Sequence, residues 1–456
     1  MRNENMVMDV RDIPKKSRWF ILSLQHLFAM FGATILVPLL TEMSQSAALV
    51  SSGLGTLAYL FITKGRIPAY LGSSFAFITP ITLADAAYGM PGVMVGSFLA
   101  GVVYGLISVF IRILGTKWLM NILPPVVVGP IIIVIGLGLA PTAVDMAMNV
   151  NGEYSSAHFT VALAALGITI LATMFFKGFF GLIPILIGII GGYVFALTQG
   201  IVNTEALSQH WNELVNSGSI AGFFAAFFQV PDFTVPFRDY NPLEVVNAGI
   251  FWIMVPIALV TVAEHIGDQM VLSKVAGRNF LEKPGLHRSI MGDGVATMIA
   301  SFLGGPPNTT YGENIGVLAI TRVFSVFVIG GAAVIAILFG FTTSIVLLIE
   351  SIPAAVMGGV SILLFGIIAS SGLRMLVDNQ VDLGEKRNLI ISSVILVLGI
   401  GGAYIQVNEN LQIAGMALSA IVGVLLNLVL PGKDKSFGNG NMFEATEEIT
   451  TDNEAA

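Results

Sequence analysis

Asn308-Thr309-Thr310-Tyr311-Gly312-Glu313-Asn314-Ile315-Gly316 decides how this chain folds. Two small hydroxyls, an aromatic and a glycine make a poor helix start, because such residues favour extended or capping conformations. A short extended segment is predicted there, although apolar runs long enough to cross a membrane flank it. A similar pattern, small hydroxyl, small hydroxyl, aromatic, small, stands earlier as Gly72-Ser73-Ser74-Phe75-Ala76. Non-helical backbone at membrane depth survives only where protein or a water-filled cavity satisfies it, so a matched pair of breaks points to a binding site. The competing reading is a pair of ordinary kinks or loop ends.

Composition makes the bilayer the solvent. Of 456 residues, 55% are hydrophobic and only 11% charged, with a mean hydropathy of +0.86, against about 25% charged in soluble domains. The 50 glycines suit close helix packing in lipid. The absence of cysteine excludes disulfides, thiolate metal sites and cysteine nucleophiles. The formal charge of -7 says little about partners, since the acidic excess sits partly in a tail from Asp434 to Ala456 whose composition predicts disorder. No cleavable signal peptide is visible: the first apolar run follows Arg2, Arg11, Lys15, Lys16 and Arg18 and continues for a full span.

Hydropathy and the Gly, Pro and charge breaks put spans near 19–40, 47–63, 69–88, 92–113, 121–141, 158–176 and 180–199, then 245–268, 288–304, 308–324, 326–349, 353–371, 388–405 and 411–430. The fold class expected is therefore an all-α polytopic membrane protein of about fourteen transmembrane segments. With both termini cytoplasmic, every Lys and Arg except Arg238 falls on the cytoplasmic side, as short cytoplasmic loops require. The two breaks recur at a near-constant offset, and so do Pro124-Pro125 with Gly129 and Gly136, against Pro353 with Gly358, Gly359 and Gly366. Seven spans per half is odd, so the halves form two inverted repeats.

Ionisable side chains inside a span are costly, about 2.5 to 3.5 kcal/mol on insertion scales, and are functional candidates by default. Glu264 and Asp268 are four residues apart and share a helix face. Two desolvated carboxylates that close do not both ionise cheaply, which makes the pair a proton-binding device. Asp268 also reads as a solvated helix end near Lys274. Glu313 would stand at a half-helix N-terminus, among free backbone N–H groups, as site residue or as cap. Asp293 reads equally as a coupling group or a cytoplasmic cap, and His26, inside the first span, as a proton-coupling candidate or a packing residue. Carboxylate acceptors, N–H donors around Gly312 and the rings of Phe75 and Tyr311 suit a small planar molecule with N–H groups beside carbonyls. A nucleobase such as uracil has that pattern. An inorganic anion does not, and no cluster of buried Arg or Lys exists to hold one.

Glu313-Asn314-Ile315-Gly316-Val317-Leu318-Ala319-Ile320-Thr321-Arg322 resembles the signature of the nucleobase-ascorbate transporters, the nucleobase:cation symporter-2 family: Glu or Gln, Asn, any residue, Gly, four residues, Thr, basic. Gln25-His26 is similar to the family's Gln-His motif, and Ala263-Glu264-His265-Ile266-Gly267 to its acidic motif. The likeness covers essentially the whole chain and is closest to bacterial members that carry uracil. It implies short antiparallel strands breaking spans three and ten. It implies a core domain of 19–114 and 244–350 and a gate domain of 115–200 and 351–431. Around these stand a cytoplasmic tail 1–18, an extracellular connection 201–243 and an acidic cytoplasmic tail 432–456. It further implies substrate binding by Glu264 and Glu313, with backbone N–H groups at Phe75 and Gly312 facing the carbonyls. Purine-carrying members often have Gln where Glu313 stands, which favours a pyrimidine. Some uracil-carrying members have His where this chain has Asp268, so the proton relay need not be the same.

The expectation is a secondary transporter of the cytoplasmic membrane that imports uracil with a proton and has no cofactor, metal or catalytic residue. Its partners are uracil, membrane lipid and, as an option, a second copy of the chain, with no nucleic acid. The alternatives are a xanthine or uric acid symporter of the same family, or an anion transporter or channel on the same fold. An intramembrane hydrolase is disfavoured by the lack of His-Glu-x-x-His, Gly-x-Ser-x-Gly and Gly-x-Gly-Asp.

Overall fold

The computed structural model describes residues 7–408, 411–413 and 415–432. Almost all of the tail called from 432, with Lys433 and Lys435, lies outside the described residues, as does Arg2. Helices dominate: α1 (Lys16–Leu40), α2 (Gln45–Ile62), α3 (Ile78–Leu114), α4 (Pro125–Gly138), α5 (Ser156–Phe175), α6 (Pro184–Thr198), α7 (Ile257–Ala276), α8 (Leu286–Leu303), α9 (Gly312–Thr321), α10 (Val326–Gly340), α11 (Ala354–Asp378), α12 (Lys386–Ile400) and α13 (Gly415–Val429). Among the described residues, seven helical stretches are long and apolar enough to cross a membrane, and α6, α10 and α13 are shorter apolar helices.

Two breaks in this helical pattern matter most. Strand β1 (Leu71–Ser73) pairs antiparallel with β2 (Asn308–Thr310) in the register Leu71↔Thr310, Gly72↔Thr309 and Ser73↔Asn308. All six residues are buried, so the ladder answers the need of interior backbone for partners. The extended stretch is shorter than the sequence suggests: Phe75–Phe77 closes into a single 3-10 turn leading into α3.

Several boundaries move for identifiable reasons. The third and fourth spans follow each other without a loop: α3 is two helical stretches that meet where Gly89 leaves helical geometry, with φ +67° and ψ 178°, just before Pro91. The eighth span is interrupted at Pro256, which has no N–H to donate, and then runs to Ala276 rather than stopping at 268. The start of the last span is instead the strand Leu411–Ile413, paired with Ile405–Asn408.

Helices α1, α2, α3, α8 and α10 pack on one another, while α4, α5, α6 and α11 form a second set joined by α12 and α13. Between α4 and α11 the close approach rests on a glycine pair: a Cβ on Gly372 would come within 2.6 Å of the Gly129 carbonyl oxygen, and one on Gly129 within 3.1 Å of the Gly372 oxygen. Helix α7 lies between the sets, touching α4 and α13 on one side and α3 and α9 on the other. Ahead of α1, residues 8–12 lie along residues 322–326: Phe324 N–H donates to the Met8 carbonyl at 2.9 Å, and Val326 N–H to that of Val10 at 2.9 Å.

Candidate functional site

The strand pair sets the geometry. Helix α9 begins directly after β2, with Tyr311 as its N-cap in extended conformation and Glu313 in its first turn. Gly312, the first residue of α9, is exposed although the wholly buried ladder ends only two residues before it. Its first-turn N–H groups have no intrahelical partners and carry the positive end of the helix dipole.

Helix α7 faces this N-terminus with Glu264 and Asp268 on one side. A Cβ on Gly312 would lie 3.1 Å from Asp268 Oδ1, so Asp268 stands against the break and two turns inside the end of α7. It is not a solvated helix end. Glu264 and Asp268 lie close enough to each other, to Glu313 and to Asp293 for their charges to interact. No Lys or Arg side chain pairs with any of the four among the described residues. Glu264 Oε2, Asp268 Oδ2, Glu313 Oε1, His26 Nε2, Ser73 Oγ and Ser74 Oγ are buried atoms without a protein hydrogen-bond partner. Buried polar groups are nearly always paired, so this concentration marks a place with acceptor and donor capacity to offer a ligand or proton.

His26, on α1, brings Nδ1 to 3.3 Å from Asn314 Oδ1, while Asn314 Nδ2 donates to the Pro68 carbonyl at 3.2 Å. It thus reaches the turn of α9 that carries Glu313. Phe75 stands in the 3-10 turn, 5% exposed, with its ring edge-on to Phe365 of α11 at 5.6 Å between centroids. Tyr311 is placed differently from a free stacking platform. Its hydroxyl donates to the Ser73 carbonyl at 3.1 Å, and its ring packs beneath Gly72, close to Tyr70.

Asp293 lies in the third turn of α8, 3% exposed, so it is not a cytoplasmic cap. Its Oδ1 accepts from Thr310 Oγ1 at 2.9 Å and its Oδ2 from Thr310 N–H at 3.3 Å. Its second partner is His265, whose Nδ1 is 2.9 Å from Asp293 Oδ2 and whose Nε2 is 2.8 Å from Ser289 Oγ. The sequence places Thr310 in the break and His265 in the acidic motif, but it assigns no role at the site to His265, Thr310 or Ser289. Two further links brace α7: Gln269 Nε2 donates to the Tyr59 hydroxyl at 3.1 Å, and Thr261 pairs with Tyr104.

Comparison with known proteins identifies the family. A model described as a permease family matches residues 17–408. A uracil permease of Bacillus subtilis (strain 168) is 63% identical over 437 residues, which cover 94% of this chain and 97% of that protein. A uracil permease of Bacillus caldolyticus is 59% identical over 442 residues, 97% and 98% of the two chains. Among solved structures, the transmembrane domain of a cyanobacterial bicarbonate transporter, BicA, has a TM-score of 0.54 at 12% identity, covering 92% of this chain and 99% of its own. That likeness speaks for the fold alone, a membrane transporter fold.

Proposed function

The chain belongs to the permease family matched above, and from that premise we propose that it imports uracil together with a proton, by alternating access across the cytoplasmic membrane. Near-full-length relatives named uracil permeases support the substrate. The observation that carries the reading is the pair Glu264 and Glu313, two carboxylates with unpaired buried oxygens on either side of a helix N-terminus. Uracil alternates ring N–H groups with carbonyls. The carboxylates accept from the former, and the N–H groups at Gly312 and at the turn of Phe75 donate to the latter. The Phe75 ring closes one side. An anion as cargo would meet four carboxylates and no cation, which disfavours that rival despite the shared fold.

Asp268, Asp293 and His26 are the coupling candidates beside Glu313. A proton taken up by this carboxylate group lowers the charge that must move through a low-dielectric interior, and so favours movement of the loaded site. In this reading the chain crosses the membrane about fourteen times as two inverted repeats of seven. The core (19–114 and 244–350) moves against the gate (115–200 and 351–431), with both termini cytoplasmic as the basic residues require. A homodimer is compatible with it.

Radiolabelled uracil uptake is the test. Uptake falls more than about tenfold in Glu264→Gln and in Glu313→Ala at normal expression, as the loss of a charged hydrogen bond implies. A protonophore abolishes it and sodium removal does not. Uptake unchanged in both variants sinks the site, and dependence on sodium sinks the coupling.

A further inference from the structure

Two concave surfaces share the same short pieces of chain at the end of the molecule where α1 begins. The first is an apolar groove of about 600 Å³ between α1, α2 and α10, lined among others by Ile13, Trp19, Leu57, Phe61 and Gly330. Its edge residues Ile13 and Phe61 are 75% and 85% exposed. The second is a pocket of about 440 Å³ walled by Arg11, Arg66, Arg278 and Lys283, with Glu282 as its acid.

The surfaces adjoin by covalent necessity. Gly65 lines the groove and Arg66 the pocket, while Arg11 lines the pocket and Ile13 the groove. One residue advances the chain by at most about 3.6 Å, so neither crossing spans more than about 7 Å. Arg278 is paired with Asp9 at 2.7 Å. Arg11, Arg66 and Lys283 form no ion pair among the described residues. The cations therefore exceed the acids facing them, beside a slot with almost no polar surface. Lys16 stands at the groove's rim.

We propose that groove and pocket together form a binding site for one anionic phospholipid, acyl chain in the groove and phosphate in the pocket. Charge complementarity selects the headgroup, since basic clusters at a membrane surface favour acidic lipids. The apolar slot selects a lipid over a soluble phosphate, because only an acyl chain gains by filling it. The site is separate from the carboxylate region of α7 and α9, and the proposal does not depend on what the protein transports.

Native mass spectrometry of the delipidated full chain, offered phosphatidylglycerol and phosphatidylcholine at equal concentration, is the experiment, with inorganic phosphate as the third probe. The expected result is preferential retention of phosphatidylglycerol. Arg11→Ala with Arg66→Ala and Lys283→Ala weakens it on the order of a hundredfold, as loss of three surface cations implies. Gly330→Leu tests the other half. A Cβ there meets Leu60 at 3.6 Å and Leu57 at 3.9 Å, ordinary contacts, so a larger side chain fills the groove without forcing the helices apart. Gly330→Leu should weaken lipid retention and leave phosphate binding alone. Equal retention of both lipids by the wild type overturns the proposal with no variant needed. So does displacement of the lipid by inorganic phosphate with Gly330→Leu silent, which would make the pocket a free-phosphate site.

Discussion

Asp293 grips Thr310 at two points, through the side-chain hydroxyl at 2.9 Å and through the backbone N–H at 3.3 Å. One carboxylate on α8 thereby holds the last residue of β2, the residue before the N-cap of the half-helix that carries Glu313.

Asp293→Ala leaves His265 and the Thr310 N–H facing each other across a hole. Leaving a buried hydrogen-bonding group without its partner costs about 1 to 3 kcal/mol for each group, so thermal unfolding in detergent should drop by several degrees. Thr310→Val removes the hydroxyl with its contacts to Asp293 and to His265 Nδ1, 3.0 Å away, but keeps the backbone bond to Asp293, and should cost about 1 kcal/mol. Equal melting temperatures for the two variants would contradict a grip centred on the carboxylate.

Gly312→Ala tests how tightly the break is enclosed. The added methyl would stand 3.1 Å from Asp268 Oδ1, tighter than an ordinary contact, and would intrude on the surface from which α9 offers its N–H groups. Overpacking of this kind costs about 1 to 3 kcal/mol, so uracil Kd measured by calorimetry should rise about tenfold while the circular dichroism spectrum stays unchanged.

Phe75 and Phe365 meet edge to face across the boundary between the two helix sets. A double-mutant cycle of Phe75→Leu and Phe365→Leu in thermal stability should return a coupling of about 1 kcal/mol. A coupling near zero would mean that the rings are neighbours without interaction.

The loop 201–243 has its own pH signature. Asp239 is held below the usual carboxylate range, first by the hydrogen bond from Arg238 and then by the Val235 N–H. A folded-state value below the unfolded one stabilises the turn above the ordinary Asp range, about 3.9. That support is lost as pH falls through the lower, folded value. The protection factor at Val235, its exchange referred to the intrinsic rate at the same pH, should therefore fall on acidification, and Asp239→Asn should show the same low protection at neutral pH.

What could be read beforehand divides along physical lines. Apolar spans, the hydroxyl-rich breaks and the carboxylates Glu264 and Glu313 stand out because each violates or obeys a solvent rule that a single segment expresses alone. The His265, Asp293 and Thr310 cluster was not legible. Its members come from α7, α8 and β2, and only the folded chain brings Nδ1 of His265 to 2.9 Å from Asp293. Asp293 looked like a possible cap because Gly292 and Gly294 blur where α8 starts. The strand Leu411–Ile413 was missed for a related reason, since hydropathy records whether a segment is apolar and not where its backbone turns.

The ladder between β1 and β2 also constrains biogenesis. Leu71 is served from within the first half, by Ser52 and Thr56 of α2, but the Ser74 N–H donates to the Pro307 carbonyl at 2.9 Å and the Tyr70 carbonyl accepts from the Tyr311 N–H at 3.1 Å, so these groups of the first break stay unmatched until most of the chain has left the ribosome. In hydrocarbon each such group costs several kcal/mol. The third span therefore cannot settle into lipid alone and must wait in a polar, protein-lined setting for the second half to arrive. A chain cut after residue 200 would hold every helix of its own half and still lack the strand that lets it rest.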